Sequence, residues 1–249
     1  MSSFTSITWP ELNAFREQVS TQVSKDEWLS DAAQHFAEAL VRAFPSVVLA
    51  RVFVVLPFER LPETDAEVVR QFAKRVGAEP LLQKNTPVLS LLGTNGAHPR
   101  WNDRRHSAGH LAIPLLSKEL VEGAPMIAQL LADLKLDWAD LVETRTIDSK
   151  RMLGGNNQRF FVPSAQTTTD DRGRFVIPSR EFVKQYRVET VFGMAGSYVS
   201  GMLVAAILFT TEQLDAATVD RYPSIISNFR MATTDSVLAG RIHRPSTSL

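Results

Sequence analysis

The run Trp101-Asn102-Asp103-Arg104-Arg105-His106-Ser107, with His110 three residues further on, is the densest polar cluster of the 249-residue chain. Asp103, His106 and His110 supply one carboxylate and two imidazoles, a donor set that suits a divalent metal. Trp101 offers a face on which a ligand can stack, and Arg104 or Arg105 a fork for a carboxylate or phosphate. The same residues also suit a solvated loop whose side chains brace its own turns. Three metal-ligating types close in sequence are a common coincidence. The cluster is therefore read first as a ligand-recognition loop, with Asp103, His106 and His110 only weak metal candidates and no metal assigned. Ser107 beside His106 and His110 is the one local pairing of nucleophile and base, and it lacks a Gly-x-Ser-x-Gly elbow. No catalytic residue is assigned.

Other candidates are weaker. Arg151 with the turn Gly154-Gly155-Asn156-Asn157-Gln158 can present backbone N–H groups to an anion, but without the spacing of a phosphate loop or dinucleotide fingerprint. Phe160 and Phe161 point to opposite faces of a strand, so one is core and the other lines a pocket or packs under a helix. Phe161 is carried as the pocket candidate. Asp170-Asp171 sits in a Thr- and Gly-rich stretch and reads as a turn.

Bulk properties remove several functions. There are 27 basic and 27 acidic side chains, so no net positive field draws nucleic acid or anionic lipid. Cysteine is absent, which excludes thiol nucleophiles, thiolate metal sites, disulfides and thioether-linked chromophores. The first ten residues lack a basic stretch followed by an apolar run, and the longest apolar run, 202–209, is too short for a bilayer. A cytoplasmic protein without nucleic-acid or membrane partners is expected.

The elements that must position these side chains follow from pattern. Thr8-x-x-Glu11 is a capping box opening a helix with Leu12, Phe15, Val19 and Val23 on one face. Ser24-x-x-Glu27 reads as a second box, with Val23 and Trp28 as its hydrophobic staple, before the stripe Leu29, Ala33, Phe36, Ala37, Leu40 and Phe44. Strands are expected over 46–56, 87–93 and 159–162, with a short extended stretch at 110–116. Helices are expected over 63–77, 125–136 and 179–186, and a polar loop over 94–109. Residues 188–195 and 198–210 read as a hairpin turning at Gly196-Ser197. A C-terminal helix from Asp215 is expected to kink or break at Pro223, and the tail 241–249 reads as frayed. The hairpin forces antiparallel pairing, so the expected class is α+β: a central antiparallel sheet with helices packed on it.

That element order resembles a GAF domain, and at residue level the GAF-like input segments of bacterial sensor proteins. The resemblance rests on Leu91-Leu92-Gly93-Thr94-x-Gly96, Trp101-Asn102-x-Arg104-x-x-Ser107-x-x-His110, Ile113-Pro114-Leu115 and Pro125-Met126-Ile127. It continues through Phe161-Val162-Pro163, Glu181-Phe182-Val183-x-x-Tyr186, Val191-Phe192-Gly193 and Ser200-Gly201. It implies a GAF-like sensory domain over 46–240, an N-terminal helical element over 1–45 and a flexible tail over 241–249. It also implies a sensory or regulatory module, not an enzyme, that binds a small noncovalent ligand or a partner protein. No cofactor is assigned. The cyclic-nucleotide motif Asn-Lys-x-x-Asp is missing. No kinase, cyclase or helix-turn-helix output follows residue 240, so a standalone module acting on a separate signalling protein is expected. The ligand-binding candidates are Trp101, Asp103, Arg104, His106, His110, Arg151 and Phe161. The long apolar stripes of the terminal helices suggest a homodimer. A filled interaction module and a metal-dependent enzyme using Asp103, His106 and His110 are the alternatives.

Overall fold

The computed structural model describes residues 2–107, 110–136 and 159–245. The central strand is β1 (Val47–Pro57), a β-branched apolar run of the kind that suits burial on both sides. It pairs antiparallel with β2 (Pro87–Gly96) on one edge and with β6 (Leu203–Thr210) on the other. With β3 (Ala112–Pro114), β4 (Arg159–Val162) and β5 (Thr190–Ser197), the described strands make one antiparallel sheet in the order β3-β2-β1-β6-β5-β4.

Alternation along the strands divides the interior in two. Ala50, Val52 and Val54 of β1 face a core completed by α1 (Trp9–Val23), α2 (Leu29–Ala43) and the helix Pro223–Ala232. Leu49 and Phe53 face the other way, towards α5 (Pro125–Asp133), the helix Arg180–Gln185 and the connecting loops. The expected α+β class and antiparallel sheet are the observed ones. The terminal-helix stripes that suggested a dimer surface are buried in the chain's own core, α2 on the sheet and α1 on α2 and the helix Pro223–Ala232, with Leu12, Val19, Phe36 and Leu40 at most 1% exposed.

Local signals served where their partners are local. The Thr8–Glu11 capping box forms in both directions, and Gly77 ends the helix region of α3 (Glu63–Arg75) at φ +67°. The chain also breaks at Pro223, with the short helix Ala216–Val219 before it.

Three expectations are corrected. Ser24 opens no helix: its N–H donates to Ser20 and closes α1, and Trp28 precedes α2 without a side-chain cap. The first N–H groups of α2 are met from the far end of the chain instead, Leu29 and Ser30 donating to the Arg241 and Ile242 carbonyls at 2.9 and 2.9 Å. The tail is therefore not frayed over 241–245: Ile242 is buried in the core beside α2. The hairpin does not turn at Gly196-Ser197. β5 runs on to Ser197, and Tyr198 N–H meets the Met202 carbonyl, with Gly201 at φ +82° supplying the left-handed residue. Gly196 instead leaves space for the Arg230 guanidinium, 3.2 Å from where a β-carbon would stand.

The stretch expected as the loop 94–109 begins later, because β2 continues to Gly96. It is then built from two 3₁₀ turns, Pro99–Asn102 and Arg104–His106. A short helix, α4 (Lys118–Glu122), precedes α5 and was not expected from the sequence. The weakly periodic segment 143–158 lies outside the described residues.

Candidate functional site

On the α5 side the described residues do not fully cover the sheet. A cavity of about 750 Å³ opens between it and the overlying elements. Its floor comes from the two central strands: Leu49, Arg51 and Phe53 of β1, and Ala205, Ile207 and Phe209 of β6. Met126, Ile127 and Leu130 of α5 form one wall, and the segment from His98 to Ser107 another. Trp101 is fixed by aromatic packing, its ring 4.7 Å from Tyr186 and 5.5 Å edge-on to Phe182. Phe182 in turn meets Phe209 of the floor edge-on at 5.4 Å. The 3₁₀ turn, the helix Arg180–Gln185 and the sheet are thereby one aromatic unit.

Arg51 is the unusual member. It lies on β1 between Leu49 and Phe53 on the floor, opposite Ile207 of β6. One Nη donates to the Ser107 hydroxyl at 3.3 Å, and Nε is buried with no hydrogen-bond partner among the described residues. No carboxylate pairs with it among the described residues. Burial alone pulls its pKa down to about 10, so it stays charged at neutral pH. The remaining ionisable groups of the lining are His98, Arg100, His106, His110, Tyr186 and one carboxylic acid, Glu181.

The expected site residues divide. Trp101, His106 and His110 line the cavity. Asp103 is corrected: it caps the Arg104–His106 turn and is chelated by Arg105, with Nη2 at 2.6 Å. The Arg105 hydrogen bonds hold its carboxyl below the usual range. Arg104 is corrected as well. It turns beneath β2, donating from Nε to the Leu91 carbonyl at 2.5 Å and from Nη2 to the fully buried Asp65. Phe161 faces the other core, with the Arg159 guanidinium 5.2 Å above its ring, while Phe160 is buried on the α5 side. Arg151 lies outside the described residues. Among the described residues no three His, Asp or Glu side chains come together as a metal site would need.

Arg51 was missed by sequence reasoning, and its signal was present: it is the only charged residue in the run 47–57. A lone guanidinium in an apolar central strand must find a reason to be there.

The Asp65–Arg104 pair also meets the tail. Ser90 Oγ donates to Asp65 at 3.4 Å and lies 3.3 Å from His243 Nε2. Burial, aided by the nearby Arg104 charge, pulls the His243 pKa from 6.5 down to about 3. Between those values the unfolded chain holds a proton that the folded chain does not. Its contribution to stability is thus whole above pH 6.5 and is lost as pH falls towards 3. Thermal unfolding measured over that window should show a decline that His243→Phe flattens; an unchanged slope in the variant would refute this.

No protein-family model matches the chain. No curated protein matches it either. Solved structures do. The free methionine-R-sulfoxide reductase of Neisseria meningitidis is 8% identical, with 92% of each chain covered and a TM-score of 0.47. The GAF domain of an Acinetobacter phosphoenolpyruvate-protein phosphotransferase is 9% identical, covering 95% of this chain and 100% of its own, with a TM-score of 0.46. A phycocyanobilin-bound GAF domain from a cyanobacterial phytochrome is 10% identical, covering 94% and 98%, with a TM-score of 0.47. With its central β2-β1-β6 strands, its terminal helices on one face and its inserted turns and helices over a cavity on the other, the chain has the antiparallel α+β arrangement expected from the resemblance of its sequence to GAF domains.

Proposed function

We propose that the chain is a sensory or regulatory module that binds a small molecule between the sheet and the segment 98–107. One observation carries this reading: the cavity of about 750 Å³, floored by the two central strands and walled by Trp101, α5 and the helix Arg180–Gln185. That volume lies within the range of small-molecule sites, and the mostly apolar lining with a few convergent polar groups is their usual composition. A ligand that prefers one arrangement of the 98–107 turns over another shifts the surface they present, which is the physical content of sensing. The metal-dependent enzyme alternative loses its main support, because the Asp103 carboxylate is chelated by Arg105 and joins no group of three metal-ligating side chains among the described residues. The filled-module alternative does not account for the cavity.

The neutral probe N-phenyl-1-naphthylamine tests this. Its fluorescence should rise saturably with one site per chain, and Ile127→Trp, which projects bulk into the cavity, should weaken it at least tenfold. Absence of saturable binding by folded protein sinks the reading.

A further inference from the structure

Two arginines lie close to the same segment, and the protein treats them differently. Arg104 is matched by Asp65, Leu91 and, through Asp65, Ser90. Arg51 has the neutral Ser107 hydroxyl alone among the described residues; its Nε is enclosed without a partner, and its side chain lines the cavity. Burying an ion without a counter-charge is costly, and a fully apolar side chain at this place would complete the floor between Leu49 and Phe53 at no such cost. A guanidinium in the middle of the sheet makes sense when a second charge arrives with something else.

In the rest of the lining Arg100 and the single carboxylic acid Glu181 balance, which leaves Arg51 as the unmatched charge, with His98, His106 and His110 as further polar groups. The remainder is mostly apolar and aromatic, with the Trp101, Phe182 and Tyr186 rings packed together at mutual angles of 74°, 55° and 40° as one aromatic wall. Guanidinium forks match the two oxygens of carboxylates and phosphates, and in a site of low polarity such pairs are strong.

We propose that the cavity selects an anionic amphiphile, a flat apolar body against the Trp101–Tyr186 wall with a carboxylate or phosphate head on the Arg51 guanidinium. This rests on the cavity being a ligand site and adds the chemical class. The head accepts from the Arg51 Nη groups, and the Ser107 hydroxyl, which accepts from one of them at 3.3 Å, is placed to adjust its own bond.

Three probes sharing one ring system separate the claims: neutral 2-naphthalenemethanol, 2-naphthoate and 2-naphthyl phosphate, each titrated calorimetrically. At least one anion should bind the wild type ten times more tightly than the alcohol, and whichever anion leads identifies the head group. Arg51→Met should erase that tenfold preference while leaving alcohol affinity within threefold, which also reports that the variant is folded. Arg51→Gln is the second variant should Arg51→Met fail to fold, with the same expectation. Arg100→Gln at the cavity mouth should change the preference by less than threefold. If the alcohol binds as well as both anions, the anion assignment falls while the cavity reading stands. If the preference survives loss of Arg51 or vanishes with Arg100→Gln, Arg51 is not the anchor and the proposal is overturned. If none of the three binds and N-phenyl-1-naphthylamine does not either, both readings fall together; if only N-phenyl-1-naphthylamine binds, the anion assignment alone falls.

Discussion

Arg104→Met should destabilise the protein by about 3–5 kcal/mol, the usual cost of removing one member of a buried ion pair. Asp65 is 0% exposed and Arg104 is 18% exposed in its side chain. Without the guanidinium, the Asp65 carboxylate keeps only the hydroxyls of Ser90 and its neighbour Thr64, at 3.4 and 3.2 Å. The Leu91 carbonyl loses its side-chain donor at the same time. The loss should appear as a lower denaturant midpoint with an unchanged slope. Asp65→Leu combined with Arg104→Met should recover much of it, since removing both charges leaves none uncompensated. An Arg104→Met midpoint within 1 kcal/mol of wild type, by the same denaturant measure, would show that the pair contributes little. Because Arg104 also anchors the turn that follows Trp101, affinity for the naphthyl probes should fall with it. The same substitution at Arg51, where no acid is left behind, carries no such penalty. One residue type thus plays opposite parts within a few ångströms of one loop.

Gly93→Ala should cost more than about 3 kcal/mol, at or beyond the upper end of ordinary overpacking. A β-carbon there would stand 2.3 Å from the carbonyl carbon and oxygen of Ala33 and 2.5 Å from the Gln34 nitrogen, all backbone atoms of α2. No rotamer change relieves that clash. Either α2 lifts from β2 or the strand bows, and both disturb the bonds that Gln34 makes to the Thr94 N–H and carbonyl, each 3.1 Å. Soluble yield and the unfolding midpoint are the measures. A Gly93→Ala protein with wild-type stability would mean that α2 is less tightly seated than this packing requires.

Much of this architecture was legible because its causes are local. β1 and β2 are apolar runs bounded by proline, the Thr8–Glu11 box satisfies itself within one turn, and Pro223 cannot donate a helix hydrogen bond. What was misread depends on partners distant in sequence. Ser24 has the same box pattern as Thr8, but α2 is capped by carbonyls more than 200 residues away, at Arg241 and Ile242. Arg104 looked like a reader of ligands because Asp65, 39 positions earlier, is invisible to spacing. Phe160 and Phe161 differ only in strand parity, and nothing in four residues says which face is hollow. Trp101, His106 and His110 were found by density of polar types. Arg51 was not, because one charged residue in a strand forms no cluster, although its isolation was itself the signal.

The strand order has a consequence for how the site comes into being. The cavity floor joins β1, near the start of the chain, to β6, more than 140 residues later. Closing so large a loop is slow, and until it happens β1 presents an unpaired apolar edge on the side away from β2. Ligand binding can therefore reward only the last stage of folding, after the β5–β6 hairpin has docked. No fragment that lacks either β1 or β6 holds both halves of the floor.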